Sequence, residues 1–216
     1  PRFMGRYNFL TTEEQIVLIC PNVRGSRGYG KKFLKADNGE GRAKVLLDIE
    51  RIYNAVAANP LWDQNRIAVM GGSYGGFMAL HSMVNLNNFV RCGIDVVGIS
   101  NFVTFLENTS DYRRDLRRVE YGNERLPEMR KFLQELSPLT HVEKITRPLL
   151  IVQGANDPRV PASESAQIEA ALRKKDIETW YLLAKDEGHG FRKQTNRTFQ
   201  FLTTVQFLRR HLLGAD

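Results

Sequence analysis

The sequence predicts an α/β fold built on a doubly wound, mostly parallel sheet with helices on both faces. Short, continuous apolar runs recur along the 216 residues, and such runs are typical of strands buried on both faces. Segments with apolar residues at helical spacing separate these runs. Turns that contain glycine, proline or asparagine separate the apolar runs from the segments with helical spacing. This alternation of strands and helices favours a parallel sheet.

The predicted strands are the apolar runs at residues 15–20, 67–70, 92–99, 148–154 and 178–183. The first of them has no polar position between Ile16 and Cys20, so we expect a strand buried on both faces. Cys20 and Cys92 lie in or beside apolar runs and are expected to be buried structural thiols.

The predicted helices lie between these strands. A short helix with one buried side is expected within residues 1–14, and a heavily charged helical insertion is expected over residues 101–138. The remaining helices are expected at 45–56, 77–84, 162–172 and 201–212. Because no internal repeat, low-complexity segment or linker interrupts this order, we expect residues 1–216 to form one domain.

Composition narrows the class of function. The net charge is +7, but the lysines and arginines are scattered and no nucleic-acid motif accompanies them, so nucleic acid is not an expected partner. The apolar runs are too short to cross a bilayer, and no membrane partner is expected. Four histidines and two cysteines show no metal-ligand spacing, so neither a metal nor another cofactor is expected.

One stretch carries a specific chemical signal. Residues 67–77 read as a strand, a tight turn and a helix, and the turn Gly71-Gly72-Ser73-Tyr74-Gly75 has the G-x-S-x-G pattern of a nucleophile elbow. A serine at such a turn has strained backbone angles and needs small neighbours. The helix that follows directs its free N–H groups toward negative charge developing beside the serine. The sequence therefore marks Ser73 as a candidate nucleophile.

Two further reactive side chains follow predicted strands. Asp157 comes after the strand at 148–154, and His189 comes after the strand at 178–183. A serine needs an imidazole to take its proton, and the imidazole needs a carboxylate to orient it. The order Ser73, Asp157, His189 is that of the α/β-hydrolase arrangement. His81 lies on the same predicted helix as the serine and is interpreted as a helix-face residue.

These motifs together resemble the prolyl oligopeptidase family of serine peptidases. The resemblance rests on residues 71–76, 154–161 and 187–191, with residues 21–30 similar to the family's loop before the elbow. It implies an α/β-hydrolase domain that acts on oligopeptides or on dipeptidyl or acylaminoacyl substrates. It also implies Ser73 as nucleophile, His189 as general base and acid, Asp157 as the orienting carboxylate, and the Tyr74 backbone N–H as one oxyanion donor.

The chain departs from the family's pattern in two ways. The family's β-propeller, and its oxyanion-side loop with the strand that leads into it, have no counterpart in this sequence. That strand would lie between the strands predicted at 15–20 and 67–70, so the expected sheet lacks its first strands and has a gap. We expect the gap to be closed by direct pairing, to be filled by another chain, or to reflect a partial sequence.

The motifs say less about the substrate pocket and about alternative functions. Phe102, Phe105, Tyr112 and Val160 are the candidate residues of the pocket wall. A carboxylesterase could use the same triad, because fold and triad do not select the acyl group. A catalytically impaired chain that acts only in folding or association is the third interpretation. Cleavage-site preference, oligomeric state and compartment are not specified by these motifs.

Overall fold

A computed structural model describes residues 4–215, and its centre is a four-stranded parallel sheet. The strands lie side by side in the order in which they occur along the chain. They are β1 (Ile67–Gly72), β2 (Val90–Val96), β3 (Leu149–Gly154) and β4 (Thr179–Ala184).

Helices connect and cover the strands. The α-helices of the described residues are α1 (Asn8–Thr12), α2 (Gly30–Leu34), α3 (Val45–Ala57), α4 (Tyr74–Asn85), α5 (Phe102–Asn108), α6 (Asp111–Tyr121), α7 (Pro127–Leu136), α8 (Ala162–Arg173) and α9 (Gln194–Leu208). Short 3₁₀ segments occupy Gly5–Tyr7, Gly39–Lys44 and Pro138–Lys144, and a π-helical turn at Arg209–Leu213 follows α9. None of these helices is long and apolar enough to cross a membrane.

Alternation along β3 shows how both faces of the sheet are covered. Leu149 and Ile151 pack in one apolar cluster with residues of α3, α4 and α8. Leu150 and Val152 point the other way and pack with α9. Successive side chains of a strand point to opposite faces, so a continuous apolar run fits this doubly covered position. The predicted doubly wound sheet is confirmed.

The strand predicted at residues 15–20 is wrong. This segment has no regular secondary structure, although Ile16 and Leu18 pack against the cluster beneath α9. Val17, Ile19 and Cys20 are exposed, so the buried thiol expected at Cys20 is also wrong, whereas Cys92 is buried. A strand needs a hydrogen-bonded neighbour, and none of the described residues pairs with this segment.

β1 therefore forms one edge of the sheet. It pairs with β2 on one side and with no other strand of residues 4–215. Direct pairing between residues 15–20 and β1, which was one of the expected ways to close the gap, does not occur. An open edge presents a row of unpaired N–H and C=O groups that can pair with an added strand. The other two expectations for the gap stay predictions.

The second strand carries a buried carboxyl group, Asp95, behind α4. Its side chain packs against Gly76 and Gly98, where an added Cβ would collide with it. Within the described part of the chain, neither carboxyl oxygen has a hydrogen bond of normal geometry, although the N–H of Gly98 offsets part of the effect of burial. Burial, with a smaller contribution from the nearby buried Glu164, raises the pKa of Asp95 to about 7.

This environment makes stability depend on pH. In the unfolded chain Asp95 ionises near its ordinary pKa of 3.8, whereas the folded chain keeps its proton up to about pH 7. Between these values the folded state binds more protons, so the free energy of unfolding falls as pH rises, by at most about 1.4 kcal/mol per pH unit. We expect Asp95→Asn to remove this part of the slope, as measured by urea denaturation from pH 4 to pH 8.

Asp63→Asn is the matched control for that measurement. Arg66 lowers the pKa of the exposed Asp63, so this carboxylate stabilises the fold at neutral pH and loses its contribution as the solution becomes acidic. The control should therefore change the pH slope weakly and in the opposite sense. An Asp95→Asn variant whose slope matches the wild type would contradict the assignment of the raised pKa to Asp95.

Candidate active site

The candidate nucleophile stands at the turn between β1 and α4. Ser73 has φ 58° and ψ −117°, a strained combination for a residue with a side chain. Its N–H donates to the carbonyl of Val96 at 2.8 Å, and its carbonyl accepts from Phe77 at 3.1 Å. The hydroxyl does not cap α4, so it is not used by the helix that it precedes.

Glycines around Ser73 allow strand and helix to approach. A Cβ at Gly71 would collide with the backbone of Gly75, one turn further along the elbow. A Cβ at Gly75 itself would meet nothing within 4 Å. The two glycines of the G-x-S-x-G pattern are therefore not equivalent, because only Gly71 is required by contact.

The candidate carboxylate, Asp157, is fixed in the loop after β3. One oxygen accepts the backbone N–H groups of Arg159 at 2.8 Å and Val160 at 3.1 Å. The helical insertion contacts the same loop, because Ser110 Oγ of the insertion donates to the carbonyl of Pro158 at 2.7 Å. The side chain of Asp157 is fully buried. Its second oxygen is left to face His189.

The candidate base, His189, lies in the loop after β4. Its Nδ1 is 2.7 Å from Oδ2 of Asp157. A carboxylate only accepts hydrogen bonds, so Nδ1 carries the hydrogen and Nε2 of the neutral ring is the acceptor. Gly190 has φ +84°, a left-handed conformation that favours glycine, and it turns the chain back directly after His189.

Backbone contacts hold these two loops together. Asn156 N–H donates to the carbonyl of Glu187 at 2.9 Å, and its side chain donates to the carbonyl of Lys185 at 2.8 Å. A Cβ at Gly154 would collide with the carbonyls of Glu187 and Gly188, so the approach requires glycine. These contacts set the distance between the loop that carries the carboxylate and the loop that carries the imidazole.

Glu187 anchors the histidine loop to the start of α9. Its carboxylate accepts from the N–H groups of Arg192 and Lys193 and from the side chain of Asn196, each at 2.9 Å. These donors, led by the Arg192 N–H, lower the pKa of Glu187. An ionised carboxylate at a helix N-terminus satisfies N–H groups that have no partner within the helix.

The structure joins two of the three candidate catalytic residues directly. His189 and Asp157 share a hydrogen bond, whereas no hydrogen bond joins the Ser73 hydroxyl to either of them within residues 4–215. All three follow the carboxyl ends of parallel strands, β1, β3 and β4. Those ends meet at one edge of the sheet, where sites of open parallel sheets lie.

Three of the four candidate pocket residues lie in one apolar cluster beside the elbow. Phe102, Phe105 and Val160 are buried there, in contact with residues such as Tyr121 and the partly buried Tyr74. The fourth, Tyr112, is on α6 with 70% of its surface exposed, and it does not join that cluster. The structure brings the first three together and leaves Tyr112 on the outer side of the helical insertion.

The same cluster contains a charged residue that sequence reasoning missed. The Arg42 side chain is buried between the rings of Tyr74 and Tyr121. It comes from a short segment rich in glycine and charge, for which sequence patterns predict exposure. No periodic signal in that segment could have indicated a buried arginine.

His81 is separate from this arrangement. It is buried on α4, its ring stacks on Phe77 at 5.3 Å between centroids, and burial lowers its pKa to about 4. A neutral histidine packed in a helix agrees with its interpretation as a helix-face residue. Among residues 4–215, no group of three or more His, Cys, Asp or Glu side chains could hold a metal ion.

Comparison with known proteins decides the family. The sequence pattern described as the prolyl oligopeptidase family matches residues 1–215. The chain belongs to the prolyl oligopeptidase family. Among curated relatives of this prolyl oligopeptidase domain, dipeptidyl peptidase family member 6 of Caenorhabditis elegans is 40% identical over 211 residues. Dipeptidyl aminopeptidase BIII of Pseudoxanthomonas mexicana is 38% identical over 203 residues.

These alignments cover most of this chain but a small part of each relative. They include 96% and 92% of this chain, yet only 28% and 30% of the two relatives. A solved puromycin-hydrolyzing peptidase of Mycobacterium tuberculosis superposes with a TM-score of 0.78 at 28% identity. That superposition covers 90% of this chain and 29% of the other. Membership of the prolyl oligopeptidase family and this superposition together show that the chain has an α/β-hydrolase fold.

The two elbow glycines of this prolyl oligopeptidase domain allow a test of the close approach. Gly71→Ala places a Cβ against rigid backbone, so we expect a loss of about 1–3 kcal/mol in the free energy of unfolding. Gly75→Ala meets nothing, so we expect a change within about 1 kcal/mol. Urea denaturation of both variants measures the difference. Equal losses would show that strand and helix are not in the described contact.

Proposed function

We propose that the protein is a serine peptidase that hydrolyses short peptides through an acyl-enzyme on Ser73. The observation that carries the proposal is the 2.7 Å hydrogen bond between His189 Nδ1 and Asp157 Oδ2. A strained G-x-S-x-G serine at the carboxyl end of β1 accompanies it. Membership of the prolyl oligopeptidase family supports the reaction class. The names of the two curated relatives support peptides as substrates.

The proposed reaction uses the free nitrogen of His189. Nε2 takes the proton of the Ser73 hydroxyl while Oγ attacks the carbonyl carbon of the scissile bond. Asp157 stabilises the imidazolium that forms. His189 then gives the proton to the leaving amine, and the amide bond breaks to leave an acyl-enzyme on Oγ. Water attacks this ester by the same proton transfers and releases the acid and the free serine.

One hydrogen-bond donor in this chain is proposed to stabilise the negative charge that develops on the carbonyl oxygen of the scissile bond. The backbone N–H of Tyr74 lies in the first turn of α4, where helix N–H groups have no partner within the helix. A donor aimed at the developing oxyanion is worth about 10²- to 10³-fold in turnover. Phe102, Phe105 and Val160 are proposed to form the pocket wall beside it, and Tyr112 remains a candidate on the outer helix.

The exposed edge of β1 supports a proposal about association. We propose that another strand, from a second chain or another part of the polypeptide, pairs along this edge and completes the sheet. The support is the side of β1 that faces away from β2, along which none of the described residues forms a paired strand. The single domain proposed for residues 1–216 would then be a partial hydrolase domain.

Probe labelling tests the nucleophile and its base. A fluorophosphonate should attach to Ser73, with Ser73→Ala unlabelled and His189→Ala labelled roughly 10³-fold more slowly, because the hydroxyl loses its proton acceptor. Intact-mass spectrometry and peptide mapping measure the site and the rate. His81→Ala is the matched histidine control and should keep wild-type labelling if it folds. A well-folded chain without labelling would favour the impaired, non-enzymatic interpretation.

Paired substrates separate the peptidase from the carboxylesterase alternative. A peptidase must protonate an amine leaving group, so we expect hydrolysis of an aminoacyl anilide as well as of the corresponding ester. Initial rates on the two compounds, which share one acyl group, give the comparison. Ester cleavage without any amide cleavage by a protein that labels normally would support the carboxylesterase instead.

A further inference from the structure

A buried arginine fills the aromatic space beside the candidate nucleophile. Arg42 is 1% exposed, and its guanidinium carbon lies 4.6 Å from the ring centroid of Tyr74 and 4.3 Å from that of Tyr121. The ring of Phe102 is 5.9 Å away. We call Arg42 with these three rings the arginine box.

The charge in the arginine box is poorly compensated. Asp37 is the carboxylate that pairs with Arg42, at 3.4 Å, and Glu120 supplies one carbonyl at 3.3 Å. The Nε of Arg42 and the hydroxyl of Tyr74 are buried, and neither has a hydrogen-bond partner among residues 4–215. An unsatisfied buried group costs about 1–3 kcal/mol, and replacing a buried ion pair by apolar groups is often neutral or stabilising. Stability alone therefore does not explain an arginine at this position.

The position of the arginine box relative to the site suggests another reason. Tyr74 directly follows Ser73 in the sequence, and its ring lies 6.4 Å from that of Tyr121 between centroids. Phe102 and Tyr121 lie 5.2 Å apart, between centroids, in the cluster that also contains Val160. The arginine side chain thus fills the space between three rings of the cluster that contains the proposed pocket wall.

We propose that Arg42 is a specificity-determining residue that closes the aromatic end of the pocket. Its side chain fills the volume between three rings, so the residue on the acyl side of the scissile bond must be small, such as alanine or glycine. This inference rests on the proposed function, because it concerns the substrate of the same site. It assigns the selectivity to the volume of Arg42 and not to its charge.

Variants of Arg42 separate volume from charge. The double variant Asp37→Asn, Arg42→Ala empties the arginine box without leaving a buried carboxylate unpaired, whereas Arg42→Met removes the charge and keeps most of the volume. Arg42→Val has an intermediate volume and is a second way to open the box if the double variant fails to fold. Arg130→Ala is the control, because it removes an arginine on the surface of the helical insertion, where Arg130 pairs with Glu107.

The measurement is a ratio of specificities. Two dipeptidyl anilides that differ only in the residue before the scissile bond, phenylalanine or alanine, are compared by kcat/KM. We expect the phenylalanine-to-alanine ratio to rise about tenfold or more in the double variant and to rise less in Arg42→Val, as apolar groups enter an opened apolar pocket. The ratio for Arg42→Met should stay within about threefold of the wild-type ratio, and the ratio for Arg130→Ala should equal the wild-type ratio.

Two results would overturn the inference while leaving the proposed function intact. An unchanged ratio in folded double and Arg42→Val variants would show that the arginine box does not limit the substrate. A rise in Arg42→Met as large as in the double variant would show that charge, not volume, sets the preference. A wild-type protein that neither takes the fluorophosphonate nor cleaves either anilide would instead refute the proposed function, and the inference with it.

Discussion

The contact between two loop backbones at Gly154 is the constraint on which the candidate site depends. Asp157 and His189 are 32 positions apart and belong to different strand-end loops, yet their side chains meet at 2.7 Å. They can do so because the Asn156 N–H reaches the carbonyl of Glu187 and because Gly154 has no side chain to separate the loops. The main chain sets the distance between the two loops. The N–H groups of Arg159 and Val160 hold the Asp157 carboxylate in one orientation, which is what an orienting carboxylate requires.

The parts of the fold that sequence could predict are those whose environment is symmetric or periodic. β3 is buried on both faces, so its residues form one unbroken apolar run that identifies it. The run at residues 15–20 has the same appearance, but a strand is defined by a hydrogen-bonded neighbour, and sequence does not show whether one exists. The same difference explains the two cysteines. Cys92 is buried because it belongs to β2, which lies between two other strands, whereas Cys20 belongs to the unpaired segment and is exposed.

The candidate site shows the same division. Ser73, Asp157 and His189 could be proposed from motifs because each occupies a loop whose glycines or prolines are visible in the sequence. The arginine box could not, because it depends on the packing of α4 and the helical insertion around a segment with no periodic pattern. Tyr112 shows the converse, since a large aromatic residue near a candidate pocket lies on the exposed side of its helix.

The elbow is held more firmly on one side than on the other. Ser73 keeps its strained backbone with the help of one hydrogen bond to Val96 at the end of β2. On the opposite side of β1, no strand of residues 4–215 pairs with the sheet, so this side is an edge. Edge strands open more readily than central ones, because fewer backbone hydrogen bonds must break. A strand added along that edge would bond to β1 itself. It would therefore restrain the strand that leads into the turn presenting Ser73.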